Sequence, residues 1–201
     1  MVLSLPASPK FVSSRFGLET NTQTWESPHT KATQRVLLGG ARWVATYTLP
    51  KMFRDQFASW QSILLQLEGG VNTFYGYDPD AITPRGNIVG STPLVNGGSQ
   101  TGSTLITDGW ANSTLVLKAG DYFTVNTELK MVTADATTNG SGQVTISFKP
   151  ALRSSPADNA ALTVTSATCT MVLTDDNQAM WSTNHRSVYQ DFTFSAMEVF
   201  S

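Results

Sequence analysis

Apolar residues recur at the spacing of an α-helix in one part of the chain, residues 51–67. Large apolar side chains are spaced four, three, four and three residues apart there, namely Phe53, Phe57, Trp60, Leu64 and Leu67. This spacing places them on one face of a helix. Pro50 suits the start of the helix, and the pair Gly69-Gly70 favours its end. The sequence therefore predicts one prominent helix over 51–67, with an aromatic stripe that packs on a sheet.

Most other patterned segments alternate in the manner of β-strands. In residues 42–49, every second side chain from Trp43 through Tyr47 to Leu49 is apolar and lies on one side. This is the period-two pattern of a strand with unlike faces. The segment 189–196 near the C-terminus alternates too, with Phe192 and Phe194 on one face. Because an apolar strand at the end of a chain needs a sheet to join, we expect it to pair with the sheet that holds residues 43–49.

This pairing predicts how the chain divides into domains. The ends of the chain, residues 1–80 and 177–201, are expected to form one domain that contains the helix. Residues 81–113 are rich in glycine and proline and are predicted to form an extended connector. Residues 114–176 hold short strands between turn signals, including a hairpin over 126–128 and a strand over 161–165, and are predicted to form an inserted β domain. The predicted fold class is mainly β with one prominent helix: a β-sandwich domain with an inserted small β-barrel or sandwich.

The predicted core of the first domain combines the helical stripe with the inner faces of the two strands. Full burial of each side chain contributes roughly 1.5–3 kcal/mol. The predicted core residues are Trp43, Tyr47, Phe53, Phe57, Trp60, Leu64, Phe192 and Phe194.

Charged residues make up only 14% of the 201 residues, against roughly 25% in ordinary soluble domains. Few charges mean few unpaired charges to desolvate at large subunit contacts, so the composition favours a role in an assembly. The net charge is −2 and no basic cluster is present, so a nucleic acid is not an expected ligand. The sequence also lacks a run of 18 apolar residues and the features of a signal peptide, which predicts no membrane span and residence in a cytoplasm until assembly.

Residues that could carry chemistry are few and scattered. His29 and His185 have no partner at metal-ligand spacing, and Cys169 lies in an apolar run where a buried, inert thiol is expected. The carboxylate pairs at 78–80 and 175–176 could serve a glycosidase, but turn-forming aspartates are the favoured interpretation. We therefore predict no enzyme, with no catalytic, cofactor-binding or metal-binding residues.

Four parts of the sequence, in this order and spacing, resemble the distal tail proteins of siphophages. They are residues 43–50 (WVATYTLP); 67–74 (LEGGVNTF) followed by Asp78-Pro79-Asp80; 118–123 (KAGDYF) with 129–133 (LKMVT) and 150–153 (PALR); and 192–196 (FTFSA). The resemblance covers residues 40–80 and 115–200. It implies an N-terminal β domain with one helix that forms a hexameric ring below the tail tube, and a second β domain that projects outward.

On this resemblance, the chain is expected to be a structural virion protein at the distal end of a bacteriophage tail. Its ring would join the tail tube to the baseplate hub and the host-adhesion apparatus. The expected partners are other copies of the chain, the tail tube protein, the baseplate hub or other tail-tip proteins, and a receptor-binding protein. Assembly would take place in the host cytoplasm. The polar residues 1–35 are predicted to become ordered against a neighbouring copy.

The alternative is a carbohydrate-binding or receptor-binding module of a phage tail or cell-surface protein, formed by residues 114–175. A platform for glycans needs exposed aromatic side chains in a row. This segment offers Tyr122, Phe123 and Phe148, whose pattern suits a core.

Overall fold

A computed structural model of the chain describes residues 1–190 and 192–200. The described chain is mainly β, with several sheets of a β-sandwich-like class and a single α-helix. In chain order the elements are β1 (Val2–Leu3), β2 (Ser13–Glu26), β3 (Thr33–Thr48), β4 (Met52–Phe53), α1 (Arg54–Gln66), β5 (Thr73–Gly76), β6 (Leu94–Val95), β7 (Thr104–Asp108), β8 (Leu115–Leu117), β9 (Tyr122–Val125), β10 (Glu128–Val132), β11 (Ala136–Thr137), β12 (Val144–Lys149), β13 (Cys169–Leu173), a 3-10 turn (Asp176–Ala179), β14 (Val188–Tyr189) and β15 (Thr193–Glu198).

The chain folds into two compact units, each built from two separate stretches. The helix unit comprises Pro6–Asn72 and the chain from Met171 onward, and the strand unit comprises Met1–Leu5 and Thr73–Thr170. Residues 81–113, predicted to be an extended connector, lie within the strand unit and contribute β6 and β7 to its sheet.

Four strands of the helix unit lie side by side in the order β13, β15, β3 and β2, and neighbours in this series are antiparallel. In the central pair, Thr193 lies opposite Thr48, and Phe194 lies opposite Tyr47. The prediction that the C-terminal strand joins the sheet of residues 43–49 is confirmed by this register.

Helix α1 is shorter at its start than the sequence predicts. Met52 and Phe53 form β4, which pairs with β14. The backbone N–H of Phe53 donates to Oε1 of Gln56 at 3.2 Å, which satisfies a donor at the start of the helix. At the other end, Gly69 has a φ of 65°, and a Cβ there would clash with the carboxylate of Asp176. The left-handed turn already begins at Glu68 (φ 49°), directly after the C-cap Leu67, so the helix ends one residue before the glycine pair that the sequence predicts as its stop.

An aromatic cluster joins α1 to the sheet. The ring centroids of Trp60 and Phe194 lie 6.1 Å apart, and those of Phe57 and Phe192 lie 5.7 Å apart. Phe11 stacks on Tyr47 at 4.5 Å, which extends the cluster to the N-terminal segment. Seven of the eight predicted core residues are buried: Trp43, Tyr47, Phe57, Trp60, Leu64, Phe192 and Phe194.

The prediction is wrong for Phe53, whose side chain is 64% exposed. The four-residue spacing between Phe53 and Phe57 predicts Phe53 on the helical stripe. Because the helix begins only at Arg54, Phe53 has extended backbone angles (φ −84°, ψ 167°), so its side chain leaves the stripe.

The strand unit contains a five-stranded antiparallel sheet in the order β6, β7, β12, β10, β9. β8 pairs with β11, and β1 pairs in parallel with β5. Phe123 and Phe148 meet edge to face in the core with centroids 5.4 Å apart, and Trp110 donates its indole N–H to Thr107 at 2.9 Å. The predicted hairpin over residues 126–128 is confirmed, whereas a strand predicted over 161–165 is reduced to isolated bridges such as Thr124 with Thr163.

Candidate functional site

The side chains that most often carry chemistry do not converge in the described residues. His29 and His185 are both exposed. Within residues 1–190 and 192–200, no group of three or more histidine, cysteine, aspartate or glutamate side chains could hold a metal ion. Cys169 is buried, with its Sγ 3.8 Å from the carbonyl oxygen of Gly76. This environment agrees with the predicted buried thiol.

The aspartates at 78–80 and 175–176 hold turns. Asp78 Oδ1 accepts from the backbone N–H of Asp80 at 3.2 Å, and Asp175 Oδ1 accepts from that of Asn177 at 2.8 Å. Asp176 Oδ1 accepts from the N–H of Gly70 at 3.0 Å, beyond the end of α1. These contacts support the interpretation of both pairs as turn residues. Burial is the main cause that raises the pKa of Tyr122 well above its usual value, and the charge and hydrogen bond of Asp78 raise it further.

A buried ion pair organises one end of the strand unit. Lys130 Nζ donates to Glu128 Oε2 at 2.7 Å and to the carbonyl oxygen of Ala151 at 2.8 Å. The same carboxylate accepts the backbone N–H groups of Arg153 (3.0 Å) and Ser154 (3.1 Å). Burial by itself raises the pKa of Glu128, but the hydrogen bonds from Lys130 and from these backbone groups lower it below its usual value. Because Lys130 is fully buried, the pair anchors the segment 150–154 and has no open side for a substrate.

The most unusual surface belongs to the long hairpin of β2 and β3. Its outer part, residues 20–41, is called the arm. All of its residues from 21 to 26 and from 33 to 40 are exposed, whereas β3 alternates between half-buried and buried residues from Arg42 to Thr48. A two-stranded ribbon without further packing is marginally stable in water. The arm is therefore a segment that gains stability when another surface covers it.

A β-bulge marks the base of the arm. The strand register shifts between Glu19 and Asn21, and Gly40 has a φ of 91° there. Arg42 Nε donates to Glu19 Oε2 at 2.7 Å, just inside the bulge. Bulges bend a strand and increase its twist, so the arm leaves the sheet at a defined place.

The two faces of the arm differ in character. Directly opposed residues share a face, and the pairs Asn21–Leu38, Gln23–Val36 and Trp25–Gln34 lie on one side. This side, called the apolar face of the arm, carries Trp25, Val36 and Leu38 without any charge. Trp25 is 69% exposed. The opposite side carries Leu37 together with Arg35 and Glu26.

The edges of the arm are also open. Among the described strands, β2 pairs only with β3, so its outer edge is open along its whole length. From Thr33 to Trp43, β3 in turn pairs only with β2. Long unpaired edges are templates for pairing with another chain unless charge or proline protects them. The uncharged apolar face and the open edges together make the arm the candidate interaction surface.

A groove of about 380 Å³ lies on the same sheet, near the base of the arm. Val44, Thr46 and Ser195 line it, and Gly17 leaves space in it because nothing lies within 4 Å of the position that a Cβ would take there. Arg15 is the one charged residue in its lining. The groove is therefore wide enough for a large side chain and almost neutral.

The sequence pattern showed little of the arm. Only short strands are predicted near residues 11–12 and 22–25, because Trp25 is the one large apolar residue from 21 to 26 and no alternating pattern results. The signal that could have identified the arm is the polar turn at residues 27–32, which lies between two segments of similar length, 19–26 and 33–42. The polar residues 1–35 are predicted to become ordered against a neighbouring copy, but the structure places 13–26 of them in β2, where they pair with β3 of the same chain.

No family model matches this chain, and no curated protein matches it. Among the described residues, no helix combines the length and apolar character needed to cross a membrane.

Proposed function

We propose that the chain is a structural virion protein at the distal end of a bacteriophage tail. Copies of it form a ring, with six subunits as the number implied by the resemblance. The ring joins the tail tube to the baseplate hub and host-adhesion apparatus. The observation that carries the assembly role is the arm, whose apolar face exposes Trp25, Val36 and Leu38 on a ribbon that nothing in the described chain covers.

Burial of the apolar face gives the energy for self-association. Each of the three side chains contributes up to roughly 1.5–3 kcal/mol when it is removed from water. No charge has to be desolvated on this face, which lowers the cost of docking. A contact between copies of the chain therefore needs only a nearly neutral, apolar surface that this face can pack against.

The groove that contains Gly17 meets this requirement. A contact of one copy's arm with the next copy's groove uses two different surfaces, so it is heterologous. Heterologous contacts generate a ring when the rotation closes. Each copy offers one arm and one groove, and each subunit of a closed ring uses both.

The location in the tail rests on the resemblance of residues 40–80 and 115–200 to distal tail proteins. Low overall charge and the mainly β fold support the same proposal. Immunogold labelling of phage particles with an antibody against the chain tests it. Label at the tail tip supports the proposal, and label at the head or its absence from particles contradicts it.

The assembly role is tested by shortening the arm. Residues 20–41 are replaced by Asn-Gly, a two-residue turn that closes a hairpin on the pair Glu19–Arg42. The expected result is loss of rings in electron microscopy and a monomer in size-exclusion chromatography with light scattering. The melting temperature should change little, because the arm buries no core residue.

Two surface variants separate the apolar face from the rest of the arm. Trp25→Ser, Val36→Ser and Leu38→Ser are combined in one variant, and Leu37→Ser on the opposite face is the matched control. Leu37 is 68% exposed, close to the exposure of Trp25. We expect rings for the control and monomers for the combined variant. Rings in both variants and in the shortened chain contradict an assembly role of the arm.

A further inference from the structure

Two hollows in the strand unit share Tyr75 and Thr168 in their linings. One has a volume of about 350 Å³, and its lining includes Tyr77, Ile82 and Leu5. The other has a volume of about 250 Å³, and its lining includes Asn126, Thr127 and Thr163. We call the two hollows together the Tyr75 cleft. The larger one alone lies within the roughly 300–1,000 Å³ of small-molecule sites.

Two tyrosines form the aromatic part of the cleft. Tyr75 lies in β5 and Tyr77 follows its end, so their side chains point to the same side of the strand, roughly 7 Å apart along the chain. Phe74 and Gly76, which alternate with them, are buried. Tyr75 is 43% exposed and Tyr77 is half-buried. Paired outward tyrosines present apolar ring faces with polar hydroxyl tips.

The remaining lining is rich in hydroxyl and amide groups and contains no charged residue. The hydroxyls of Ser4, Ser166 and Thr168 make no hydrogen bond within the part of the chain that the structure describes. Thr124 is occupied, since its Oγ1 donates to the carbonyl oxygen of Thr168 at 2.7 Å. Asn126 donates to Ser154 at 2.8 Å through its amide nitrogen. Each unoccupied hydroxyl can both donate and accept.

We propose that the Tyr75 cleft binds a neutral saccharide. A sugar ring combines an apolar face of C–H groups with a rim of hydroxyls. Tyr75 and Tyr77 supply flat apolar surfaces for the ring faces, and Ser4, Ser166 and Thr168 supply hydrogen-bond partners for the hydroxyl rim. The two hollows, which share Tyr75 and Thr168, give room for more than one sugar unit.

The chemistry of the lining distinguishes this ligand from others. Phosphates, acidic sugars and nucleic acids need cationic partners, and no lysine or arginine lines the cleft. A purely apolar ligand would leave the three hydroxyls desolvated and unpaired, which is costly. This site lies in the strand unit and uses none of the aromatic residues of the segment 114–175, which are Tyr122, Phe123 and Phe148. Phe123 and Phe148 instead pack together in the core.

The test measures binding of neutral saccharides to the full chain. Cellotriose, maltotriose, chitotriose and a glycan array are the neutral probes, and tri-galacturonate is the charged counterpart. Titration by NMR of Tyr75→Ala, Tyr75→Phe and the native chain gives the affinities. Phe53→Ala is the matched control, because Phe53 is an exposed aromatic residue in the helix unit.

We expect at least one neutral saccharide to bind, and Tyr75→Ala to weaken it by roughly five- to tenfold or more. Tyr75→Phe keeps the ring and should retain most of the affinity, and Phe53→Ala should retain all of it. Absence of binding to every neutral probe overturns the proposal, as does binding that Tyr75→Ala leaves unchanged or a preference for tri-galacturonate. Because Tyr75 is partly exposed, the variant should fold, and its melting curve verifies this. The ring proposal is independent of this result, since Tyr75 lies outside the arm and the groove.

Discussion

Trp60 brings its indole N–H into the aromatic core of the helix unit without a hydrogen-bond partner among the described residues. A buried donor without a partner costs about 1–3 kcal/mol. The ring itself is almost fully buried and contacts Phe11 and Phe194. The stability contributed by Trp60 therefore comes from packing and not from its polar atom.

Trp60→Ala should lower the free energy of unfolding by about 3–5 kcal/mol, because it leaves a large cavity. Trp60→Phe should cost much less, because it removes the unsatisfied donor along with part of the ring. Urea unfolding of both variants measures the difference. Equal costs for the two substitutions would contradict the conclusion that Trp60 stabilises the helix unit by packing.

Glu128 connects stability to pH. Its pKa is lowered in the folded chain, so its contribution to stability is present above the ordinary value of 4.5 and is lost as the pH falls through the folded-state pKa. Glu128→Gln should abolish this acid-dependent part and cost about 3–5 kcal/mol near neutral pH, because Lys130 is left buried without its partner.

The control for this variant removes both charges. Glu128→Gln combined with Lys130→Met should recover a substantial part of the loss, since no buried charge remains. Thermal unfolding from pH 3 to pH 7 checks both variants. A single substitution as stable as the native chain at pH 7 would show that water reaches Lys130.

Phe53 illustrates which residues the sequence could not place. Its four-residue spacing to Phe57 fits the helical stripe, but spacing does not show where a helix begins. The pairing of Met52 and Phe53 with Val188 and Tyr189 decides it, and those residues lie more than 130 positions away in the chain. Trp43, Tyr47 and Phe194 could be predicted as core because alternation alone fixes the face of a strand.

At the scale of elements, β15 is central to the helix unit. It lies between β13 and β3, and it carries Phe194 into the aromatic cluster. Its removal would expose two strand edges and open the core.

Truncation after Ser187 should therefore unfold the helix unit, since it removes β15 together with Phe192 and Phe194. Each of these phenylalanines contributes roughly 1.5–3 kcal/mol by burial. Loss of the near-ultraviolet circular dichroism of the aromatic cluster, compared with the full chain, checks this. A cooperative melting transition at the native temperature would contradict the role of β15.

The elements that could be predicted are those whose pattern is local. The helix, the hairpin of β9 and β10, and the terminal strand all carry their own periodicity. The arm could not be predicted, because both its faces are exposed and no buried stripe gives its two strands a recognisable period. The Tyr75 cleft also escaped prediction, since Tyr75 and Ser166 come together only through the fold.

At the scale of the whole molecule, the chain crosses between the two units at residues 5–6, 72–73 and 170–171. The sequence predicted that the middle of the chain folds apart from the end that carries β15, because β15 needed a sheet. The sequence could not place the boundaries between the two units, since β6 and β7 lie in a glycine-rich stretch that is predicted to be an extended connector. The pairing of β7 with β12 brings that stretch into the strand unit.

The assembly of whole molecules is tested at Gly17, in the groove proposed to receive the neighbouring arm. A side chain at Gly17 meets nothing within 4 Å, and its backbone needs no positive φ, so substitutions there should leave the fold intact. Gly17→Trp fills the groove and should give monomers, whereas Gly17→Ala adds one methyl group and should keep rings. Light scattering and electron microscopy of both variants, with the native chain beside them, measure the outcome.

If the tryptophan variant alone is monomeric, the arm of one copy lies in the groove of the next. Rings in the tryptophan variant, if the apolar face is still required, would move the contact to the free edge of β2, where strand pairing and not side-chain insertion would join the copies.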